Sequence, residues 1–374
     1  MTLPVHTRML LVAGGTGGHI IPAVAFGNWL KARQKGVEVD YMSGSRPLEL
    51  EIYRQSGIEP FALDIMGSPM GAPKGEKISR WRDLIRSITQ AKRIIAPAAE
   101  KRYDLCLLFG GYVSVPALWI ARRYGLRLLV HEQNARAGVV TRIASALGVA
   151  VASGWRVCDP LVAGKFTCTG TPIRRIEITD RDKAWHALGL SGEVPDGPIA
   201  VVTTGSIGSA AVGEAVGKLA QEAHRKSWCF LVVDADVREP VRGGANLFRI
   251  PRVWDIGNLY SLADILVTRA GASTLAEVEA LGIPALVIPW RGAAKDHQML
   301  NANQLHGADS VAIWDERGGD IDELSHKVDE LGISRLSKKG VLGKRMYNAF
   351  ENICGRLWRL AAGIMKGEVH VGGR

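Results

Sequence analysis

The chain has 374 residues, 47% of them hydrophobic and 22% charged, with a formal net charge of +10. That length suits two domains of ordinary size, and no run of about 20 uncharged apolar residues is present that could cross a bilayer as a helix. The five cysteines (Cys106, Cys158, Cys168, Cys229, Cys354) are widely spaced with no CxxC pair, which argues against a disulfide framework or a zinc site and predicts reduced, buried thiols.

In chain order, strand-like runs alternate with helical stretches. "MLLVA" leads to a helix from about Pro22, "VEVDYMS" to one from about Pro47, "DLCLLFG" to "SVPALWIARRYG", and "RLLVHE" to "TRIASALG". Apolar strands alternating with helices predict a parallel sheet covered on both faces. After "TGTPIRR" the pattern restarts: "PIAVVTTGS", a helix from about Ala210, "SWCFLVVDA", "NLFRIPRV", "ADILVTRAG", a helix from Ser273, and "PALVIP". The expected architecture is α/β, with two doubly wound Rossmann-like domains facing a central cleft. The expected boundaries are 1–168, 169–340, and a C-terminal segment 341–374 packing back on the first domain. Met346, Phe350, Ile353, Leu357, Leu360 and Ile364 recur at steps of three and four in that segment, the stripe of an amphipathic helix. The N-terminus has no charged-then-apolar-then-small design of a secretion signal, so a cytoplasmic chain is expected.

Open parallel sheets bind ligands at the carboxyl ends of their strands, so the strand-end motifs carry most weight. "AGGTGGH" follows a strand and precedes a helix, where glycines can bring backbone N–H groups close to an anion or a sugar. A dinucleotide fingerprint does not fit, because Gly15 and Gly17 supply G-x-G but Ile20 stands where the third glycine belongs. His19 is either a helix-start residue bonded to nearby backbone or a neutral imidazole that accepts a proton from a hydroxyl. "FGGYVSVP" and "HEQNARAG" end two more strands; their polar residues are hard to bury without partners. Tyr112 and Asn134 are candidate sugar or acceptor contacts, while Glu132 and Gln133 could simply hold the loop. In the second half, Ser206 of "TTGSIGSAA" could hold a diphosphate that Arg174 neutralises. Glu277 near a helix start could accept ribose hydroxyls or cap its own helix, and Asp296, His297, Gln298 and Asn301 form a polar cluster suited to sugar hydroxyls.

Six stretches, "GGTGGH", "GGYVSVP", "HEQN..AG", "GTPIR", "RAGASTLAE" and "AAKDHQMLNAN", run in order from about residue 8 to about residue 306. Together they resemble the MurG family of N-acetylglucosaminyltransferases. The resemblance implies a GT-B fold and an inverting, metal-independent, cofactor-free transfer. GlcNAc would pass from UDP-GlcNAc to the C4 hydroxyl of MurNAc in lipid I, the undecaprenyl-pyrophosphoryl-MurNAc-pentapeptide, giving lipid II for peptidoglycan. It implies His19 as general base, and Thr16, Gly17 and Gly18 beside the GlcNAc and diphosphate with Asn134 nearby. Arg174 and Ser206 would serve the phosphates or nucleotide, the Val253 backbone the uracil edge, and Gln298 the GlcNAc hydroxyls. Ala272, Ser273, Thr274, Leu275, Ala276 and Glu277 would serve the ribose and diphosphate. Ile207 stands where the family has an amide, Thr171 where it has asparagine, and Lys295 where an acidic residue is common.

The excess positive charge is localised: residues 74–102 hold nine Lys or Arg against three Asp or Glu, and residues 335–374 hold nine against two. Such patches fit an anionic partner, either phospholipid headgroups or nucleic acid, or simply a solvated helix face. In the first patch Ile78, Trp81, Leu84 and Ile85 lie among Arg80, Arg82 and Arg86, the composition of an amphipathic element at an anionic interface. With a lipid-anchored acceptor implied, the expectation is a peripheral enzyme on the cytoplasmic face of the bacterial inner membrane, with no nucleic-acid partner. A transferase of the same fold acting on another lipid such as diacylglycerol, a UDP-GlcNAc 2-epimerase, and a non-catalytic nucleotide-sugar-binding protein are the alternatives.

Overall fold

The computed structural model describes residues 6–69, 73–96, 103–203, 210–222, 225–292, 296–308, 310–318, 320–331 and 339–368. The chain forms two compact units, Met1–Arg174 with Phe350–Arg374, and Arg175–Ala349.

Unit 1 is built on β1 (Thr7–Ala13), β2 (Val37–Gly44), β3 (Phe61–Leu63), β4 (Leu105–Gly110), β5 (Arg127–Glu132), β6 (Ala150–Ser153) and β7 (Thr167–Cys168). The order is β3-β2-β1-β4-β5-β6-β7, and every pairing is parallel. Met9 through Val12 and Leu105 through Leu108 are wholly buried, as expected of central strands covered on both faces. The connecting helices are α1 (Gly17–Arg33), α2 (Pro47–Gln55), α3 (Lys77–Ile95), α4 (Ser114–Arg123) and α5 (Val139–Ala146). Helix α1 begins at Gly17, five residues before the expected start at Pro22. His19 N–H and Ile20 N–H both bond to the Thr16 carbonyl, at 3.2 and 3.3 Å. The nucleating turn is therefore closed before the proline is reached, and its missing N–H removes one bond without ending the helix.

Unit 2 repeats the design. It contains α6 (Arg181–Ala187), β8 (Ile199–Thr203), α7 (Ala210–Leu219), β9 (Cys229–Val233), β10 (Val241–Arg242), β11 (Leu247–Ile250), α8 (Gly257–Leu262) and β12 (Ile265–Thr268). It continues with α9 (Ala272–Leu281), β13 (Ala285–Val287), α10 (His297–Asn303), β14 (Val311–Ile313) and α11 (Ile321–Glu330). The strand order is β10-β11-β9-β8-β12-β13-β14, parallel except for the β10–β11 pair. Asp264 anchors the start of β12 beneath the sheet: it is 2% exposed, accepts from Ile199 N–H at 2.9 Å, and takes Arg181 Nη1 on both oxygens at 3.0 and 3.1 Å.

The last helix, α12 (Lys339–Lys366), begins in unit 2 and ends in unit 1. Met346, Phe350, Cys354, Leu357 and Ile364 are buried along one stripe. Within unit 1, Glu351 of α12 accepts from Trp29 Nε1 at 2.8 Å and from Arg33 Nη2 at 2.7 Å. No helix among the described residues is long and apolar enough to cross a membrane. Four cysteines are buried, and burial pushes the Cys106 thiol up to about 12. Cys168 departs from the expectation of buried thiols: it is exposed, because β7 is a two-residue edge strand with both side chains in solvent.

Candidate functional site

In unit 1 the strand order reverses direction between β1 and β4, which makes their carboxyl ends the topological switch point where open α/β sheets take ligands. The loops after β1, β4 and β5 meet there because those strands are neighbours. Their approach is backbone on backbone. Gly111 has φ +82°, and a Cβ on it would stand 2.2 Å from the Gly14 carbonyl oxygen. Gly110, at φ +108°, would place a Cβ 3.0 Å from His19 Cε1 and Nδ1. Both positions need glycine, one for the close crossing of two loops and one to give the imidazole room.

His19 lies half-buried in the first turn of α1, with Thr16 as the N-cap, Gly17 buried and Gly18 exposed. Its Nδ1 is 2.9 Å from Gln133 Oε1. Its Nε2 has no hydrogen-bond partner among the described residues. Gln133 is buried, and its Nε2 donates to the His131 carbonyl at 3.0 Å and lies 3.1 Å from His131 Nδ1. His131 Nε2 is 2.9 Å from the Gly170 carbonyl. Burial pushes His131 down to about 4, against the opposing pull of the Gly170 carbonyl and the Glu132 carboxylate.

Glu132 binds its own loop, accepting from Gly138 N–H at 2.8 Å, Thr141 Oγ1 at 2.6 Å, and Asn134 N–H and Nδ2 at 3.1 and 3.2 Å. That is the loop-holding role expected of it, and it presents Asn134 half-buried at the strand end. Tyr112 donates its hydroxyl to Glu49, which also accepts from Gly44 N–H at 3.0 Å and Ser43 Oγ at 3.2 Å. Burial, followed by the Glu49 contact, drives the Tyr112 phenol well above its ordinary range, and Arg46 lies over its ring at 5.0 Å. Sequence reasoning missed Glu49: nothing in "PLELEIYRQ" separates a wholly buried carboxylate from its exposed neighbours.

In unit 2 the switch point falls between β8 and β12, and Thr203 Oγ1 bridges to Thr268 Oγ1 across it at 3.1 Å. Ser206 and Ile207 lie outside the described residues, as does Lys295. Helix α9 opens at the end of β12 with Ala272 buried and Ser273 and Thr274 half-buried, while Leu275 and Ala276 face the interior. Glu277 is 2% exposed and accepts from Tyr260 Oη at 2.8 Å. Gln298 receives Trp290 N–H at 2.9 Å on its Oε1, and Asn301 donates to the Ala270 carbonyl at 3.1 Å. Arg269, not singled out in the sequence, donates to the Ile288 carbonyl at 3.2 Å and pairs with Glu316 at 2.8 Å. Val253 is half-buried on the loop after β11, and Arg174 is half-buried in the last residues of the first part of unit 1.

On α3, Ile78, Trp81 and Ile85 are 70%, 52% and 64% exposed, with Arg82 and Arg86 exposed beside them. Leu84 sits half-buried against the interior cluster, and Arg80 pairs with Glu76 at 2.9 Å. The outward apolar set is therefore narrower than the sequence list.

The profile of the glycosyltransferase family 28 N-terminal domain matches residues 9–153, and that of the family 28 C-terminal domain matches residues 199–340. A protein of Chlorobaculum tepidum named UDP-N-acetylglucosamine--N-acetylmuramyl-(pentapeptide) pyrophosphoryl-undecaprenol N-acetylglucosamine transferase is 31% identical, over 84% of this chain and 87% of its own length. A Shewanella baltica protein of the same name is 30% identical, over 89% of this chain and 90% of its own. The crystal structure of Acinetobacter baumannii MurG superposes with a TM-score of 0.63 at 23% identity, covering 95% of this chain and 99% of that one.

Proposed function

Since the chain belongs to the MurG family of glycosyltransferases, we propose that it transfers GlcNAc from UDP-GlcNAc to the C4 hydroxyl of MurNAc in lipid I, with inversion and without a metal. The observation that carries this reading is His19: an imidazole at the switch point of unit 1, held through Nδ1, with Nε2 free of any partner among the described residues. Nε2 takes the proton of the acceptor hydroxyl as that oxygen bonds to C1 of GlcNAc. The C1–O bond to the diphosphate breaks, and UDP departs with the electron pair. Arg174, Ser206 and the start of α9 are the groups assigned to the growing charge on the diphosphate, with the Arg174 guanidinium and the backbone N–H groups of α9 as donors. Thr16, Gly17 and Gly18 are assigned to the GlcNAc and diphosphate, with Asn134 nearby, and Tyr112 to the sugar or acceptor; the Val253 backbone is assigned to uracil, Ala272 to Glu277 to the ribose and diphosphate, and Gln298 to the GlcNAc hydroxyls. Ile78, Trp81 and Ile85, with Arg82 and Arg86, form the face assigned to an anionic phospholipid surface, which brings the enzyme to its lipid-anchored acceptor on the cytoplasmic side.

The test is transfer from labelled UDP-GlcNAc to a lipid I analogue in the presence of EDTA. Disaccharide product is expected; hydrolysis alone, an epimerised sugar, transfer to diacylglycerol instead, or a strict metal requirement overturns the reading. His19→Ala is expected to lower kcat by about 10²- to 10⁴-fold, the range of a positioned general base, with UDP-GlcNAc affinity little changed.

A further inference from the structure

We propose that Gln133 and His131 are positioning residues that fix the tautomer of His19, holding its proton on Nδ1 and so leaving the lone pair on Nε2. The proposal rests on the reading of His19 as the base that deprotonates the acceptor. The chain of hydrogen bonds is anchored on two backbone carbonyls, and its donors and acceptors fix the tautomer.

A carbonyl oxygen can only accept. The atom of the Gln133 amide that lies 3.0 Å from the His131 carbonyl must therefore be the NH2 group. That orients the amide, and its Oε1 is left facing His19 Nδ1 at 2.9 Å. An amide oxygen also only accepts, so Nδ1 must carry the hydrogen. A neutral imidazole has one N–H, and Nε2 is then the basic nitrogen.

The second anchor secures the first. The Gly170 carbonyl lies 2.9 Å from His131 Nε2, which must be the protonated nitrogen there. His131 Nδ1 is then an acceptor, and it receives the second N–H of Gln133 at 3.1 Å. Turning the Gln133 amide over would set Oε1 against both the His131 carbonyl and a ring lone pair while leaving its NH2 toward His19, losing two bonds at a buried site. His131 has to stay neutral for this to hold, since an imidazolium would put N–H against N–H. It packs on Phe109 with ring centroids 5.3 Å apart, is 1% exposed, and is pushed far below its ordinary range by that burial.

The sequence "HEQN" thus uses the penultimate residue of β5 and the first residue after it for a purpose outside that strand end. Its first residue, His131, directs the third, Gln133, and Gln133 directs an imidazole 114 positions away in the chain.

The experiment is long-range 15N NMR of the full-length protein labelled at histidine, with the His19 signals assigned by loss in His19→Gln, together with steady-state transfer kinetics. In the wild type the neutral His19 ring is expected as the Nδ1–H tautomer; an Nε2–H ring overturns the proposal, and that measurement needs no variant at the relay. In Gln133→Met the tautomer is expected to become mixed and kcat to fall by at least roughly tenfold, against a ceiling near 10⁴-fold for a misprotonated catalytic histidine, while KM for UDP-GlcNAc stays within about twofold. His131→Asn, which keeps an acceptor for Gln133 Nε2, is expected to retain more kcat and more of the Nδ1–H form than His131→Leu. Wild-type tautomer and kcat in Gln133→Met, or equal losses in the two His131 variants, sink the proposal. Unchanged kcat in His19→Ala removes His19 as base and fails the underlying reading, whereas the wild-type spectrum decides the tautomer independently of it.

Discussion

His131 makes the stability of unit 1 depend on pH in a way that one substitution removes. In the fold it is held down to about 4 from an ordinary value of 6.5, chiefly by burial, with the Gly170 carbonyl and the Glu132 carboxylate opposing. The unfolded chain therefore takes up a proton at this ring before the folded one does. The stability of the neutral buried ring is fully present above pH 6.5 and is lost as the pH falls from 6.5 to about 4. At 1.36 kcal/mol per pH unit, the whole shift is about 3 kcal/mol, of which about 2 kcal/mol is lost between pH 7.5 and pH 5.0. The perturbation is His131→Asn, which cannot titrate. The assay is urea unfolding followed by tryptophan fluorescence from pH 7.5 to 5.0, on both proteins, so that the groups they share largely cancel in the difference. The wild type is expected to lose about 2 kcal/mol more than the variant over that range. Parallel curves would refute the reasoning, and so would a wild type that gains on the variant as the pH falls.

Gly111→Ala is expected to destabilise unit 1 by about 1–2 kcal/mol from the left-handed backbone alone, with more from the Cβ placed 2.2 Å from the Gly14 carbonyl; urea unfolding at the wild-type midpoint would contradict the close crossing of the two loops. Arg82→Gln with Arg86→Gln removes two exposed positive charges of α3, worth about 1 kcal/mol each near an anionic bilayer. Binding to vesicles containing phosphatidylglycerol is expected to weaken by roughly 30-fold at low salt, and equal pelleting of variant and wild type would reject this face as the one that meets the membrane.

What could be read in the sequence was what local chemistry writes there. "MLLVA" and "DLCLLFG" are fully apolar because central parallel strands are buried on both faces, and the glycines that follow mark turns that only glycine fits. The existence of two sheets followed from that, as did the strand-end positions of "GGTGGH", "GGYVSVP" and "HEQN". The start of α1 was misjudged because proline is a strong local signal, whereas the turn that closes ahead of it, on the Thr16 carbonyl, leaves none. Glu49 and the relay from His131 to His19 were illegible for a different reason: both depend on which strands become neighbours. The sheet sets β5 beside β4 and β4 beside β1, and only then does a glutamine at the end of β5 reach a histidine in the first turn of the helix that follows β1.

Helix α3 shows the same limit on a single element. Its sequence offers more apolar residues than one stripe can hold. Leu84, Ile88, Ala91 and Ile95 descend one face into or against the core, while Ile78, Trp81 and Ile85 follow the other face into solvent. Each set keeps steps of three, four or seven, so periodicity alone supports both. What separates them is the sheet beneath: the inward set has Leu63, Ile65 and the β4 side chains Cys106 and Leu108 to pack on, and the outward set has no such cover among the described residues. A helix that needed only one apolar face to fold carries a second, with Arg82 and Arg86 exposed beside it. The anionic lipid surface proposed above would give that second stripe a use that the packing of unit 1 does not supply.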